Sequence, residues 1–180
     1  QWQHIIDAAL QTHARAVILL GDLEPARPLH IELEAIWERV WFIHGNHDTD
    51  TDADHDNLLG STLADRNLHG RVVEVAGLRI AGLGGVFRKK VWMPPATAIF
   101  ESPAQYLAQC GKGNHWRNGL PRKHRSSIFP SDHHRLQTQQ ADILVTHEAG
   151  SGHPHGFATI DELARALGVA RTFHGHHHDQ

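Results

Sequence analysis

Four short blocks carry Asp, Asn and His to the ends of apolar runs. Gly21-Asp22 follows Val17-Ile18-Leu19-Leu20, Gly45-Asn46-His47-Asp48 follows Val40-Trp41-Phe42-Ile43, Thr146-His147 ends Ile143-Leu144-Val145, and Gly175-His176-His177-His178 comes after Arg171-Thr172-Phe173. Imidazole, carboxylate and carboxamide oxygens together suit borderline divalent cations such as Mn, Fe or Zn, and a set without thiolates is not that of an iron–sulfur or structural zinc centre. A carboxylate can also bridge two cations, and a pair about 3.5–4 Å apart can hold a hydroxide and clamp the oxygens of a phosphate ester for in-line displacement. His47 stands next to Asn46, so it is aimed at the same place without having to ligate. Its imidazolium is a natural proton donor to a leaving alkoxide, with Asp48 placed to fix its tautomer and stabilise its charge.

The elements that must position these residues are legible around them. The four apolar runs, rich in β-branched residues and closed by glycine or polar residues, read as buried strands whose C-terminal ends share one rim, where α/β sheets hold their ligands. Ile5, Ile6, Ala9 and Leu10 form a helical stripe that predicts a helix over 2–13, and Leu33, Ile36, Trp37 and Val40 repeat in the same way. Residues 71–75 and 78–82 flank Ala76-Gly77 as a hairpin, so part of the sheet is mixed. Ser102-Pro103 starts a short helix to about Gln109, and Thr159 with Glu162 makes a capping box for a helix stopped at Gly168. This alternation predicts an α/β domain of the layered α+β kind.

With its G-D, G-N-H-D, lone His and G-H-x-H blocks in order from Gly21 to His178, the chain resembles the calcineurin-like metallophosphoesterase family. The resemblance implies a two-sheet sandwich flanked by helices and a hydrolase of phosphomonoesters or phosphodiesters, working through a hydroxide held by two divalent metal ions (Mn, Fe or Zn). It implies that Asp22 bridges both metals, that Asn46, His147 and His176 complete one site, that His178 serves the other, and that His47 is the acid with Asp48 behind it. One departure stands out. The family signature opens with D-x-H, and no such block precedes Asp22. The expectation is a single domain over 1–180, truncated at both ends from a longer protein, with one metal site lacking ligands. A catalytically weak or inactive binding module of the same fold is therefore the alternative.

Charge is unevenly distributed. Between Arg88 and Arg125 eight basic residues (Arg88, Lys89, Lys90, Lys112, Arg117, Arg122, Lys123 and Arg125) face Glu101 alone, in a chain of net charge −3. With Trp92, Phe100, Tyr106 and Trp116, residues 88–130 read as a basic, aromatic-bearing insertion. It would grip an anionic substrate, act as a lid, hold a single nucleic-acid strand as a nuclease would, or simply be a solvated loop. Nucleic acid is the less favoured partner, since the chain is acidic overall and has no recognition motif. Arg88, after Gly84-Gly85, is the first candidate for a phosphate contact, and His153 in its glycine-rich loop is a candidate substrate contact beside His155.

The remaining histidines read as structural. His44 is a packing residue beside the site, His133 and His134 are surface residues of a polar helix, and His115 and His124 add charge at low pH. Asp48, Asp50, Asp52, Asp54 and Asp56 lack the glycine and glutamate spacing of a calcium loop and read as a solvated acidic loop before a short helix. At 180 residues, 40% of them apolar, the chain can form one sizeable core. The lone Cys110 fits a reducing, cytoplasmic setting, and no apolar stretch reaches membrane-spanning length.

Overall fold

The structure, a computed structural model, describes residues 2–176. Helix α1 (Trp2–Gln11) leads into strand β1 (Val17–Leu20), and a single-turn α2 (Leu29–Glu32) precedes β2 (Val40–Ile43). Helix α3 (Asp52–Leu59) follows, then β3 (Arg71–Val75), β4 (Leu78–Leu83), α4 (Pro103–Gln109), α5 (Pro130–Gln137), β5 (Ile143–Thr146), α6 (Ala158–Leu167) and β6 (Arg171–His174). Strands β1 and β2 pair in parallel as one sheet, and β3-β4-β5-β6 form the second, antiparallel across the β3–β4 hairpin and parallel thereafter. The mixed two-sheet architecture expected from the sequence is the one observed.

Strand periodicity explains the layering. In β1 and β2, Val17, Leu19, Val40 and Phe42 pack on α1 and α3, while Ile18, Leu20, Trp41 and Ile43 face Val73, Ile80, Ile143 and Val145 of the other sheet. On the far face of that second sheet, Ala81, Leu83 and Leu144 meet Leu136 of α5 and Ile160, Leu163 and Leu167 of α6. Two sheets thus pack face to face, with helices outside each. Among the described residues no helix is long and apolar enough to cross a membrane.

Several local expectations are corrected. The stripe from Leu33 to Val40 is not one helix. Leu33 closes α2 with φ −115°, Trp37–Arg39 form a single 3-10 turn, and Val40 is claimed by pairing with Val17. Leu33 and Ile36 are nevertheless buried against the first sheet, so their spacing reported burial without a continuous helix. Helix α6 starts one residue before the expected cap: Phe157 is its N-cap, fixed by its N–H to the Ala149 carbonyl, and Thr159 lies inside the first turn. Gly168 ends α6 at φ 67°, as expected. His133 is buried rather than on the surface, with Nε2 3.1 Å from the Thr159 carbonyl oxygen.

The acidic stretch is likewise helical. Thr51 caps α3 by accepting the Asp54 N–H, and the Asp54 carboxylate accepts the Thr51 N–H in return, so Asp52 and Asp54 sit in the first turn. The basic excursion packs onto this helix. Arg117 pairs with Asp56, and Arg122 pairs with Asp52 while its Nη2 donates to the Asp50 carbonyl at 2.7 Å. Arg117 and Arg125 both lie over the Trp116 ring. The excursion returns to its starting point, where Val86 and Ile128 exchange main-chain hydrogen bonds with Ser126 and Val86, and buried Ile128 and Phe129 anchor it.

Candidate metal centre

The first loop leaves β1 through Gly21, whose φ of 92° no side chain tolerates well; a Cβ there would lie 2.5 Å from His147 Nδ1. Asp22 follows in the left-handed region at φ 52°, and His176 adopts it too, at φ 67°. Two candidate ligands held in sparsely populated backbone conformations are the kind of strain that functional sites retain. Gly45 opens the second loop, where its backbone lies against Asp22 and His147 so closely that any side chain would collide.

Asp48 ties these loops together. Its fully buried carboxylate accepts the N–H groups of Leu23 (2.7 Å), Glu24 (3.0 Å), Asp22 (3.0 Å) and Gly45 (2.7 Å). Burial pushes its pKa up, and the N–H groups of Gly45, Glu24 and Leu23 oppose that rise. Asp48 therefore does not stand behind His47 as expected, because its lone pairs are taken up by the backbone. The partner of His47 is Asp50, whose Oδ2 lies 2.6 Å from Nδ1. That hydrogen bond raises the His47 pKa and favours the imidazolium. Both side chains are exposed, as an acid facing an incoming substrate must be.

The ligand atoms of Asp22, His147 and His176 all lie within 4.8 Å of one another. His147 Nε2 is 3.3 Å from Asp22 Oδ2 and 3.4 Å from Asn46 Oδ1, so His147 meets both of the expected ligands that precede it. Across the ring, His147 Nδ1 lies 2.7 Å from the Leu20 carbonyl oxygen. A carbonyl only accepts, so Nδ1 carries a proton and Nε2 is turned to the carboxylate, the orientation that metal-bound histidines receive from an outer partner. The second carboxylate oxygen, Oδ1, accepts the His47 N–H at 2.8 Å.

The Asp22 carboxylate and the His147 imidazole favour each other's charged forms. Burial pushes the Asp22 carboxyl up, but the His147 ring and the His47 N–H outweigh it and hold its pKa at about 2. Burial lowers His147, yet its bonds to Asp22 and the Leu20 carbonyl leave it raised. Burial and the neighbouring His147 lower His176, which keeps it the neutral base that a ligand must be. A carboxylate, a carboxamide and two imidazoles from four strand ends thus fit a divalent cation. His178 lies outside the described residues.

A cavity of about 360 Å³ opens beside these groups, lined in part by Asn46, His176, Arg88, Glu148, His155 and Phe157. Arg88 is where a phosphate contact was expected, half-buried, with Nη2 donating to Ser126 Oγ at 3.1 Å. His155 and not His153 lines this cavity, for the His153 Nδ1 accepts the His155 N–H at 3.1 Å and its ring stands edge-on to that of His174. Of the loop pair His153 and His155 it is thus the second that faces the cavity, and the partnership of Asp50 with His47 was not foreseen. Asp50 carried one signal, the i, i+3 spacing from His47 across a single turn.

The chain matches the model of the calcineurin-like phosphoesterase family over residues 2–180. It belongs to that family. The chain is also 46% identical over 178 residues to an uncharacterized protein of Haemophilus influenzae, an alignment that covers 99% of the chain and 79% of the relative. No solved structure matches it. Family membership makes phosphate esters the class of substrate and agrees with the ligand cluster, since members generally use two metals.

Proposed function

We propose that the protein is a metal-dependent hydrolase of a phosphomonoester or phosphodiester, with Asp22, Asn46, His147 and His176 holding one divalent cation and Asp22 and His178 serving a second. The convergence of Asp22, His147 and His176 carries the reading. When bound, Mn, Fe or Zn would supply Lewis acidity and a water activated at neutral pH. The chain's own residues supply the rest. Arg88 grips the non-bridging phosphate oxygens from the cavity wall, and its half-buried guanidinium is held by Ser126. His47, kept protonated by Asp50, gives its proton to the leaving oxygen. Asp48 keeps both loops in register, so it is a positioning residue. The lone Cys110 fits a cytoplasmic setting.

A nuclease reading is weaker. Arg117 and Arg122 of the basic segment are engaged by Asp56 and Asp52, and Arg125 lies over Trp116, so these three cations are already occupied within the fold.

Hydrolysis of an aryl phosphate and an aryl phosphodiester with added Mn tests the proposal. Turnover should appear with metal, vanish in Asp22→Ala, and fall roughly 100-fold or more in His47→Ala. Stoichiometric metal binding without turnover of either ester would support the inactive binding module instead.

A further inference from the structure

The basic residues of the excursion divide into two groups. Arg117 and Arg122 are neutralised by α3, and Arg125 donates to the Trp116 carbonyl. Arg88, Lys89, Lys90 and Lys123 instead gather with His124 around one cavity of about 310 Å³. Among the described residues none of these four cations has a carboxylate within ion-pairing distance, whereas Arg27, Arg79, Arg117, Arg122 and Arg135 all do. Asp50 and Glu148 offset Arg88 only at longer range, and an anion in the hollow would relieve the mutual repulsion of the cations around it.

Arg88 links this hollow to the metal centre, because it lines both cavities. Its Nε is buried without a hydrogen-bond partner. Its Nη2 is fixed on Ser126 Oγ, which lies 2.7 Å from Thr49 Oγ1, two residues beyond His47. A guanidinium so anchored, with a free donor, is set to bridge two anionic groups.

We propose that the cavity walled by Arg88, Lys89, Lys90, Lys123 and His124 is a second anion site, which holds a phosphate group of the substrate other than the one that reacts. The substrate class is then an ester carrying at least two phosphate groups. This inference rests on the phosphoesterase reading only for the first of the two groups. The buried His124 reports the field in the hollow: burial, followed by the charges of Arg88, Lys123 and Lys90, lowers its pKa to about 4.

Calorimetric titration of the metal-free full chain at low ionic strength, with inorganic pyrophosphate and inorganic phosphate as probes, tests the site. Pyrophosphate should bind at least ten-fold more tightly than phosphate. Lys90→Ala combined with Lys123→Ala should weaken pyrophosphate ten-fold or more, and Lys90→Arg with Lys123→Arg should recover most of the loss. NMR titration should show the His124 pKa rising when pyrophosphate is bound. Equal affinity for the two probes, or a double alanine variant that binds pyrophosphate as the wild type does, would overturn the inference. Pyrophosphate preference in a protein that hydrolyses no ester would leave this site standing and refute the esterase reading. Ester turnover without that preference would refute this site alone.

Discussion

The Asp48 carboxylate accepts the backbone N–H of Leu23 at 2.7 Å, and through this bond the loop after β2 holds the loop after β1. Asp22 and Asn46, one on each loop, are brought to His147 by that connection.

Replacing Asp48 with Asn should therefore damage both stability and metal binding. An amide offers one acceptor oxygen where four N–H groups converge, and its NH2 would face donors. Leaving buried donors unsatisfied costs about 1–3 kcal/mol each, so chemical denaturation should report a loss in that range or above. Metal affinity, read by calorimetry, should fall about 10–100-fold, as for other residues that orient ligands.

Asp50→Asn probes the other carboxylate. Removing the negative partner of His47 Nδ1 should lower the His47 pKa toward its ordinary value. The protonated fraction at neutral pH should fall accordingly, as seen by histidine NMR titration of the metal-free protein. A His47 pKa moved by Asp48→Asn but not by Asp50→Asn would reverse the assignment of partners.

The strands, and the convergence of Asp22, Asn46, His147 and His176 at their ends, were legible because their signals are local: a short apolar run, then a donor within a few residues. The hairpin about Ala76-Gly77 and the stop at Gly168 rest on similarly short-range chemistry. What the sequence hid depends on contacts across the chain. Asp48 looked like the partner of His47 by adjacency, yet the N–H groups that occupy it come chiefly from 24–26 residues upstream. His133 sits in a polar helix and is buried only because α5 lies against α6, where Thr159 supplies its partner. The acidic stretch was visible, but not that it mates with Arg117 and Arg122 from more than 60 residues away.

Those pairs between α3 and the excursion should contribute little individually. Arg117 and Asp56 are each nearly half exposed, although the guanidinium holds the Asp56 pKa at about 2. A double-mutant cycle with Arg117→Ala and Asp56→Ala should return only a small coupling, weaker at high salt. Burial of Ile128 and Phe129 should keep the excursion docked in every variant, as limited proteolysis would report.

Stability should also fall with acid through His124. Its folded pKa of about 4 lies below the ordinary histidine value, so as pH drops from about 6.5 toward 4 the unfolded chain takes up the proton first. The contribution is constant above that window and is lost within it, on the order of 1 kcal/mol after solvent screening. His44 and His133, also lowered by burial, act in the same direction, so the His124→Gln variant should show a shallower slope rather than none. Denaturation midpoints measured from pH 4 to 8 on both proteins provide the comparison.

Anomalous diffraction from crystals soaked in Mn tests the metal centre most directly. A peak bonded by Asp22, Asn46, His147 and His176, lost in Asp22→Ala, is the predicted result. A wild-type map with no peak among those four side chains, or with Mn held elsewhere in the chain, would contradict it.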